Sequence, residues 1–341
     1  MSPPQPSAHP PRVAVLGAGA WGSAFALVLA DAGSQVSLWA RRPEVAVEIN
    51  DHRTNRAYLG DVLLPPGVRA TSDPAEALAG ADLVVLAVPL QRLREHLVRW
   101  RALLPDVPLV SLAKGVETAT GLFGSEVVAD ATGVPAARVV AISGPNLAAE
   151  VARRDPAATV VASRDGAVAH QVADACSSPA FRPYLSADVL GVDVAGAVKN
   201  VVALAVGITE GAGHGANARA AILTRGLAET ARLGMALGAS ESTFTGLAGV
   251  GDLVATCGSP LSRNHRVGVA LGRGEVLSAA LAAAGGTAEG VASAPAVLAR
   301  AARVGVELPL VAEVVAVVSG TRSPREAADR LLSRARTTDG P

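Results

Sequence analysis

The chain has 341 residues, with 30 basic and 30 acidic groups; half of its residues are apolar and only 3% are aromatic. At roughly 100–200 residues per domain this length implies two domains, and the apolar share excludes a disordered chain. A net charge of zero with no basic tail argues against nucleic acid as the main partner.

In chain order, residues 1–11 are rich in Pro and have no apolar core of a signal sequence, so they read as a disordered leader. Short, nearly continuous apolar runs follow at 12–16, 35–40, 82–88, 109–113, 139–143 and 159–162. Between them, 23–32, 44–50 and 91–104 have helical character. Continuous apolar strands alternating with helices imply a parallel sheet covered on both faces, a doubly wound α/β arrangement. After about Ser186 the composition turns to Ala, Leu and Gly with helical periodicity. Helices are expected near 192–210, 216–237, 261–271, 275–284, 291–304, 311–319 and 324–336, broken by Gly211–Gly215 and Gly285–Gly286. Residues 337–341 read as a frayed tail, and no 20–50-residue repeat is present.

The most apolar long stretch, 189–208, contains Asp193, Lys199 and Asn200. It falls short of ~20 clean apolar residues and so reads as a buried helix and not as a membrane span. Cys176 and Cys257 are far apart and belong to no CxxC pair, which argues against a disulfide scaffold and a zinc site and suits a reducing compartment. No metal is expected, and the chain reads as an intracellular, cytoplasmic protein.

Gly17-Ala18-Gly19-Ala20-Trp21-Gly22 is a GxGxxG between the first strand and the first helix. The pattern alone is weak; strand, glycines, helix and second strand in that order make it specific. Gly17 allows the tight turn, Gly19 admits a pyrophosphate, and Gly22 lets helix and sheet pack closely. The helix N-terminus then offers amides and a positive dipole end to the phosphates. Residues 12–187 therefore read as a Rossmann-like dinucleotide-binding domain, and 188–336 as an all-helical substrate-binding domain. An NAD site usually places an acid after the second strand, but here Trp39-Ala40 is followed by Arg41 and Arg42, with Glu44 the first acid. Two guanidiniums attract a 2′-phosphate, so NADP(H) should be accepted beside NAD(H); the plain alternative is a pair of solvated arginines.

Of the 30 basic residues only Lys114 and Lys199 are lysine; the other 28 are arginine. A lysine kept against such a bias suits a site where an ammonium must lose its proton near neutrality, which arginine cannot do. Lys199 lies in an apolar helix where burial lowers its pKa and fits it for general acid–base work; the bland reading is a lysine that snorkels to the surface. Lys114 follows the 109–113 strand, where ligands of open parallel sheets bind, and Ser143-Gly144-Pro145-Asn146 ends the next strand in the same way. Asp252 and Thr256 are four apart and share a face if helical. Ser262-Arg263-Asn264-His265-Arg266 reads as a cationic helix start able to hold a phosphate, or as an ordinary solvated cap. His214, in a glycine-rich loop, reads as a loop residue.

Taken together, the motifs resemble the bacterial-type NAD(P)-dependent glycerol-3-phosphate dehydrogenase family over about residues 12–336. The resemblance rests on GAGAWG at 17–22, AKG at 113–115, SGPN at 143–146 and GAVKNV at 196–201. It extends through GANARAAILTRGLAE at 215–229, the GVGDLVATC segment, SRN at 262–264 and AEG at 288–290. It implies interconversion of sn-glycerol 3-phosphate and dihydroxyacetone phosphate, feeding glycerophospholipid synthesis, by a homodimer. It implies Lys199 as the proton donor and acceptor at the C2 oxygen, with Lys114, Asn200, Asp252 and Thr256 around the reacting centre. Gly144, Asn146, Ser262, Arg263 and Asn264 are implied as substrate contacts. Ala20, Trp21, Arg41, Arg42, Ala148 and Glu289 are implied at the dinucleotide, with Lys114 and Arg263 reaching it too. Asn146 stands where many relatives have Thr or Ser, His265 where Arg often follows SRN, and Ala288 departs from a common VEG. A related reductase of another 2-keto substrate and a catalytically silent dinucleotide sensor remain open; the SRN segment discriminates the first, and intact Lys199 and Asp252 argue against the second.

Overall fold

A computed structural model describes residues 10–285 and 288–332. The leader expected at 1–11 therefore falls outside them except for its last two residues, and the tail expected at 337–341 lies wholly outside. The chain divides into two compact units. One contains the residues up to Ala113, Val128–Ile142 and Ala148–Ala187; the other contains Lys114–Val127, Ser143–Leu147 and the chain from Asp188 onward.

The first unit is built on an eight-stranded sheet. Its strands are β1 (Arg12–Leu16), β2 (Gln35–Trp39), β3 (Val68–Thr71), β4 (Leu83–Leu86), β5 (Leu109–Ser111), β6 (Val139–Ser143), β7 (Ala157–Ser163) and β8 (Phe181–Ser186). They lie in the order β3-β2-β1-β4-β5-β6-β7-β8. The β3–β2, β2–β1, β1–β4, β4–β5, β5–β6 and β7–β8 pairings are parallel. The first six positions follow the doubly wound dinucleotide-binding order. The central strands are continuously apolar because helices cover both faces, and Val13, Val15, Val85, Val110 and Val140 join Phe25, Leu27 and Leu29 of the Ala20–Asp31 helix in one core.

The two strands absent from the sequence expectation, β3 and β8, are the two sheet edges. Edge strands keep part of their surface in water: β3 alternates buried with exposed or half-buried residues, and in β8 only Phe181 is buried, so neither runs continuously apolar. Expected strand ends at 88 and 113 also proved long: β4 stops at Leu86 and β5 at Ser111. Ala87 still donates its amide to the Leu16 carbonyl at 2.9 Å, after which the chain passes under the glycine turn.

The second unit is helical around Val189–Gly211, which is long and apolar enough to span a membrane by length and composition but has 94% of its most apolar window buried inside the protein. The Ala216–Ala236, Asp252–Gly258, Arg263–Gly272 and Glu289–Arg303 helices pack on it. Its tightest neighbour is Arg263–Gly272, and glycines set that distance. A β-carbon on Gly207 would lie 2.3 Å from the His265 carbonyl, and one on Gly268 would lie 2.4 Å from that of Leu204. Gly211 and Gly272 repeat this one turn on, so a GxxxG on each helix brings the backbones into direct contact. The Pro309–Val318 helix is capped from afar by buried Glu229, whose carboxylate accepts the Leu310 N–H at 2.8 Å.

The seven helices expected in this half are all present, with ends moved by at most three residues where both ends are described. A π-helical turn at Leu247–Gly251 leading into Asp252–Gly258 was not anticipated. Glycine is a poor helix former, so Gly246, Gly249 and Gly251 hide the pattern. Packing requires at least one of them: a β-carbon on Gly249 would stand 2.1 Å from the Phe244 carbonyl.

Candidate active site

In the first unit, the turn after β1 carries the glycines. Gly17 has φ +130°, and a β-carbon there would lie 2.7 Å from the Ala87 carbonyl oxygen. A β-carbon on Gly22 would fall 1.9 Å from the Gly17 carbonyl, whereas one on Gly19 would meet no atom of the other described residues within 4 Å, its chain neighbours aside. Two glycines are thus required by the protein's own packing and the middle one leaves room, which fits a pyrophosphate lying against the turn. Among the described residues no side chain caps the Ala20–Asp31 helix, and its first turn has no acid, which leaves its dipole end suited to an anion.

Sequence reading missed the residue that holds this turn. Asn55 is fully buried, and its Nδ2 donates to the Ala18 carbonyl at 3.0 Å and to Ser23 Oγ at 2.9 Å. Nothing in the spacing of Thr54-Asn55-Arg56 marks that role. Arg41 and Arg42 follow β2 and are exposed, Arg42 in a loose 3.8 Å ion pair with Glu44. Ala148 begins the short Ala148–Ala152 helix in the same unit.

The second unit brings Lys114, Lys199, Asp252 and Thr256 into one cluster. Lys114 comes three residues after β5, and Asp252 opens its helix directly after the π-helical turn. Lys114 Nζ donates to Asp252 Oδ2 at 2.7 Å and to the Gly144 carbonyl at 3.2 Å. Lys199 Nζ donates to Asp252 Oδ1 and, at 2.7 Å, to Thr256 Oγ1. Thr256 in turn donates to Asp252 Oδ1 at 3.2 Å, as the i, i+4 spacing on one helix permits. Ser143, at the end of β6, adds a 3.2 Å hydroxyl donor to Oδ2. The Asp252 side chain is only 2% exposed.

Close approach at this point depends on Gly196, one turn before Lys199. A β-carbon there would lie 2.9 Å from Ser143 Oγ and 3.5 Å from Lys114 Cγ.

The electrostatics follow from one carboxylate between two ammoniums. Burial pushes Asp252 up, and the Lys114 and Lys199 charges outweigh it, holding the carboxyl below its usual range. Burial pulls Lys199 down; Asp252 opposes that, Lys114 reinforces it, and Lys199 settles at about 8. Two cations against one anion leave a net positive site, with a lysine that can give a proton as the ammonium and take one as the amine near neutral pH. That combination suits stabilising and protonating an oxygen that develops negative charge.

Asn200 joins the cluster through the Lys114 main chain, its Nδ2 donating to the Lys114 carbonyl at 3.0 Å. Asn264 donates to Asn200 Oδ1 at 2.9 Å. Ser262 caps the Arg263–Gly272 helix, its Oγ accepting the His265 N–H at 3.3 Å, and exposed Arg263 begins that helix. His265 turns inward, with Nε2 3.3 Å from Glu210 Oε2, and Glu210 is also held by Arg219. Gly144 and Asn146 lie in the Ser143–Leu147 segment of this unit, and Glu289 opens the Glu289–Arg303 helix. His214 pairs only loosely with Asp329, at 3.9 Å. A groove of about 830 Å³ lined by Leu298, Val306, Leu308, Glu313 and Leu331 contains none of these residues. Among the described residues no group of three or more His, Cys, Asp or Glu side chains is placed to hold a metal ion.

Residues 12–169 match the family model "NAD-dependent glycerol-3-phosphate dehydrogenase N-terminus" and residues 188–329 match its C-terminal counterpart. A glycerol-3-phosphate dehydrogenase [NAD(P)+] of Streptomyces griseus is 54% identical over 96% of this chain and 97% of its own length. One from Corynebacterium urealyticum is 54% identical over 95% of this chain and 98% of its own. The crystal structure of glycerol-3-phosphate dehydrogenase from Coxiella burnetii superposes with a TM-score of 0.90 at 36% identity, covering 95% of this chain and 99% of that one. A ketopantoate reductase from Ralstonia eutropha, at 20% identity and TM-score 0.55, shares the fold alone. With both family models matched in order and relatives aligned over nearly the whole length, the chain belongs to the NAD-dependent glycerol-3-phosphate dehydrogenase family.

Proposed function

We propose that the protein is a glycerol-3-phosphate dehydrogenase that interconverts sn-glycerol 3-phosphate and dihydroxyacetone phosphate with NAD(H) or NADP(H). The observation that carries this reading is the buried Lys114–Asp252–Lys199 cluster in a chain of this family. Gly17, Gly19, Ala20, Trp21 and Gly22 would hold the dinucleotide, with Arg41, Arg42, Ala148, Arg263 and Glu289 as further contacts, and when bound it would supply the hydride that C2 of the ketone accepts. Lys199 gives a proton to the C2 oxygen during reduction and takes it back during oxidation. Lys114 holds a second positive charge toward that oxygen, and Asp252 orients both ammoniums. Thr256 keeps the Lys199 ammonium pointed by accepting one of its hydrogens. Gly144, Asn146, Ser262, Arg263 and Asn264 contact the substrate, and Arg263 is suited to its phosphate because a guanidinium can bind two phosphate oxygens at once.

The product would supply the backbone of glycerophospholipids. We also place the enzyme in the cytoplasm as a homodimer. The cysteines support a reducing setting: both are free and buried, and burial pushes each thiol up to about 12, so neither is a ready nucleophile.

The test follows NADH and NADPH oxidation with dihydroxyacetone phosphate for the wild type and for Lys199→Ala. The wild type should turn over and the variant should lose at least ~100-fold, the ordinary range for a lost acid–base group. Absence of wild-type turnover with either cofactor would overturn the assignment of substrate.

A further inference from the structure

Asn200 and Asn264 are both buried, and their donors and acceptors are connected in one direction. Asn264 Oδ1 accepts the Gly290 N–H at 3.0 Å. A backbone N–H can only donate, so this bond fixes which end of the Asn264 amide is oxygen. Asn264 Nδ2 must then face Asn200, where it donates to Oδ1 at 2.9 Å. That fixes Asn200 in turn, whose Nδ2 donates to the Lys114 carbonyl at 3.0 Å and to the Gly196 carbonyl at 3.4 Å. Both Nδ2 hydrogens of Asn200 are therefore committed to main-chain carbonyls, and the orientation of each amide is dictated by the one before it.

The far end of this chain is packed as tightly as its polar bonds suggest. A β-carbon on Gly290 would lie 2.5 Å from the Asn200 carbonyl oxygen and 2.9 Å from Asn264 Oδ1. The start of the Glu289–Arg303 helix thus rests directly on the helix that carries Lys199. The near end is the main chain of Lys114, whose ammonium grips Asp252.

We propose that Asn264 and Asn200 are a positioning relay that locks the Lys114 main chain to the Gly290 amide and so sets where the Lys114 ammonium stands against Asp252. The role deepens the dehydrogenase reading above and rests on it for its kinetic consequences. It differs from a substrate contact, since Asn200 has no donor left for a ligand. Asn264 keeps one Nδ2 hydrogen and can hold Asn200 and a substrate oxygen together.

The test compares Asn200→Ala, Asn264→Ala and the double variant by kcat, by the pH profile of kcat in dihydroxyacetone phosphate reduction, and by hydrogen exchange at Gly290. Each single variant should lower kcat on the order of 10–100-fold, the scale of a misplaced reacting group. The double variant should be no worse than the worse single one, because either change breaks the same chain. The falling limb of the pH profile should move to higher pH in all three as Lys114 draws away and repels Lys199 less. Gly290 exchange should quicken in Asn200→Ala even though the Asn200 side chain does not touch that amide. Losses that multiply in the double variant, or a pH limb that stays in place, would overturn the relay. Asn264→Asp serves if Asn264→Ala does not fold: it keeps the acceptor for Gly290 and loses the donor for Asn200, so kcat should fall while Gly290 stays protected. If the wild type fails to reduce dihydroxyacetone phosphate, the substrate reading fails, and unchanged Gly290 exchange in Asn200→Ala would sink the relay independently.

Discussion

Lys114 and Lys199 are joined through a single buried carboxylate, one on each oxygen of Asp252. The three groups are mutually dependent. Asp252 stays ionised in the interior because two ammoniums face it, and Lys199 is eased toward neutrality because burial and Lys114 outweigh the pull of Asp252. No pair of these residues would have the same character without the third.

Removing the shared carboxylate should therefore be costly twice over. Asp252→Asn leaves the buried Lys199 ammonium and the partly buried Lys114 ammonium facing each other, and breaking a buried ion pair costs about 3–5 kcal/mol. Urea unfolding of the variant should record a loss of that size, with turnover reduced by at least ~100-fold as the proton carrier loses its orientation. A variant as stable as the wild type would mean that the lysines do not depend on Asp252.

The pH dependence has a defined sign. Lys199, brought down to about 8, must be protonated to act as the acid in ketone reduction and neutral to act as the base in alcohol oxidation. Reduction should fall as pH rises through about 8 and oxidation should rise through the same region. Measured kcat/KM profiles in both directions check this; parallel profiles would remove Lys199 from proton transfer.

Cofactor choice should be readable at the end of β2. Replacing Arg41 and Arg42 together by Ala should weaken NADPH more than NADH, by on the order of tenfold or more, because each charge-assisted hydrogen bond contributes about 1.5–3 kcal/mol. Equal weakening of both cofactors, measured by fluorescence titration, would show that the arginines do not read the 2′-phosphate.

Asp193 offers a test of stability instead of catalysis. It lies two turns before Asn200 on the same helix and accepts the Ser125 N–H at 2.8 Å. Burial raises it from 3.8 to about 7. A raised folded value favours the fold while the group is protonated in both states, and that contribution is lost as pH rises from about 4 through about 7. Asp193→Asn keeps an acceptor for Ser125 and carries no charge. Its melting temperature relative to the wild type should therefore climb between those pH values and level off above them. A difference that is flat with pH would show that Asp193 does not titrate in this way.

Much of this molecule is legible along the chain because local rules decide it. Gly17 and Gly19 sit between a strand and a helix and Gly22 in that helix's first turn, and a junction of that kind has the same steric needs wherever it occurs. The central strands reveal themselves as continuous apolar runs since both faces are covered, while β3 and β8 do not because they are half-wet edges. Asp252 and Thr256 announce a shared helix face by spacing, although glycines at 246, 249 and 251 hide the turn that leads to it.

The sequence by itself determined the doubly wound half, the helical half, the glycine turn and the identity of the two lysines. Only the tertiary structure decided which side chains meet. Lys114 and Asp252 are 138 residues apart, and Lys199 and Asp252 are 53 apart, so no periodicity links them. It also decided that Lys114–Val127 and Ser143–Leu147 pack with the helical unit, and that Asn55 braces the turn from 37 residues beyond Ala18. The physical reason is common to these cases: a helix face or a turn is set by bonds between near neighbours, whereas a carboxylate acquires its cations only when packing brings distant segments together and excludes the water that would otherwise screen them.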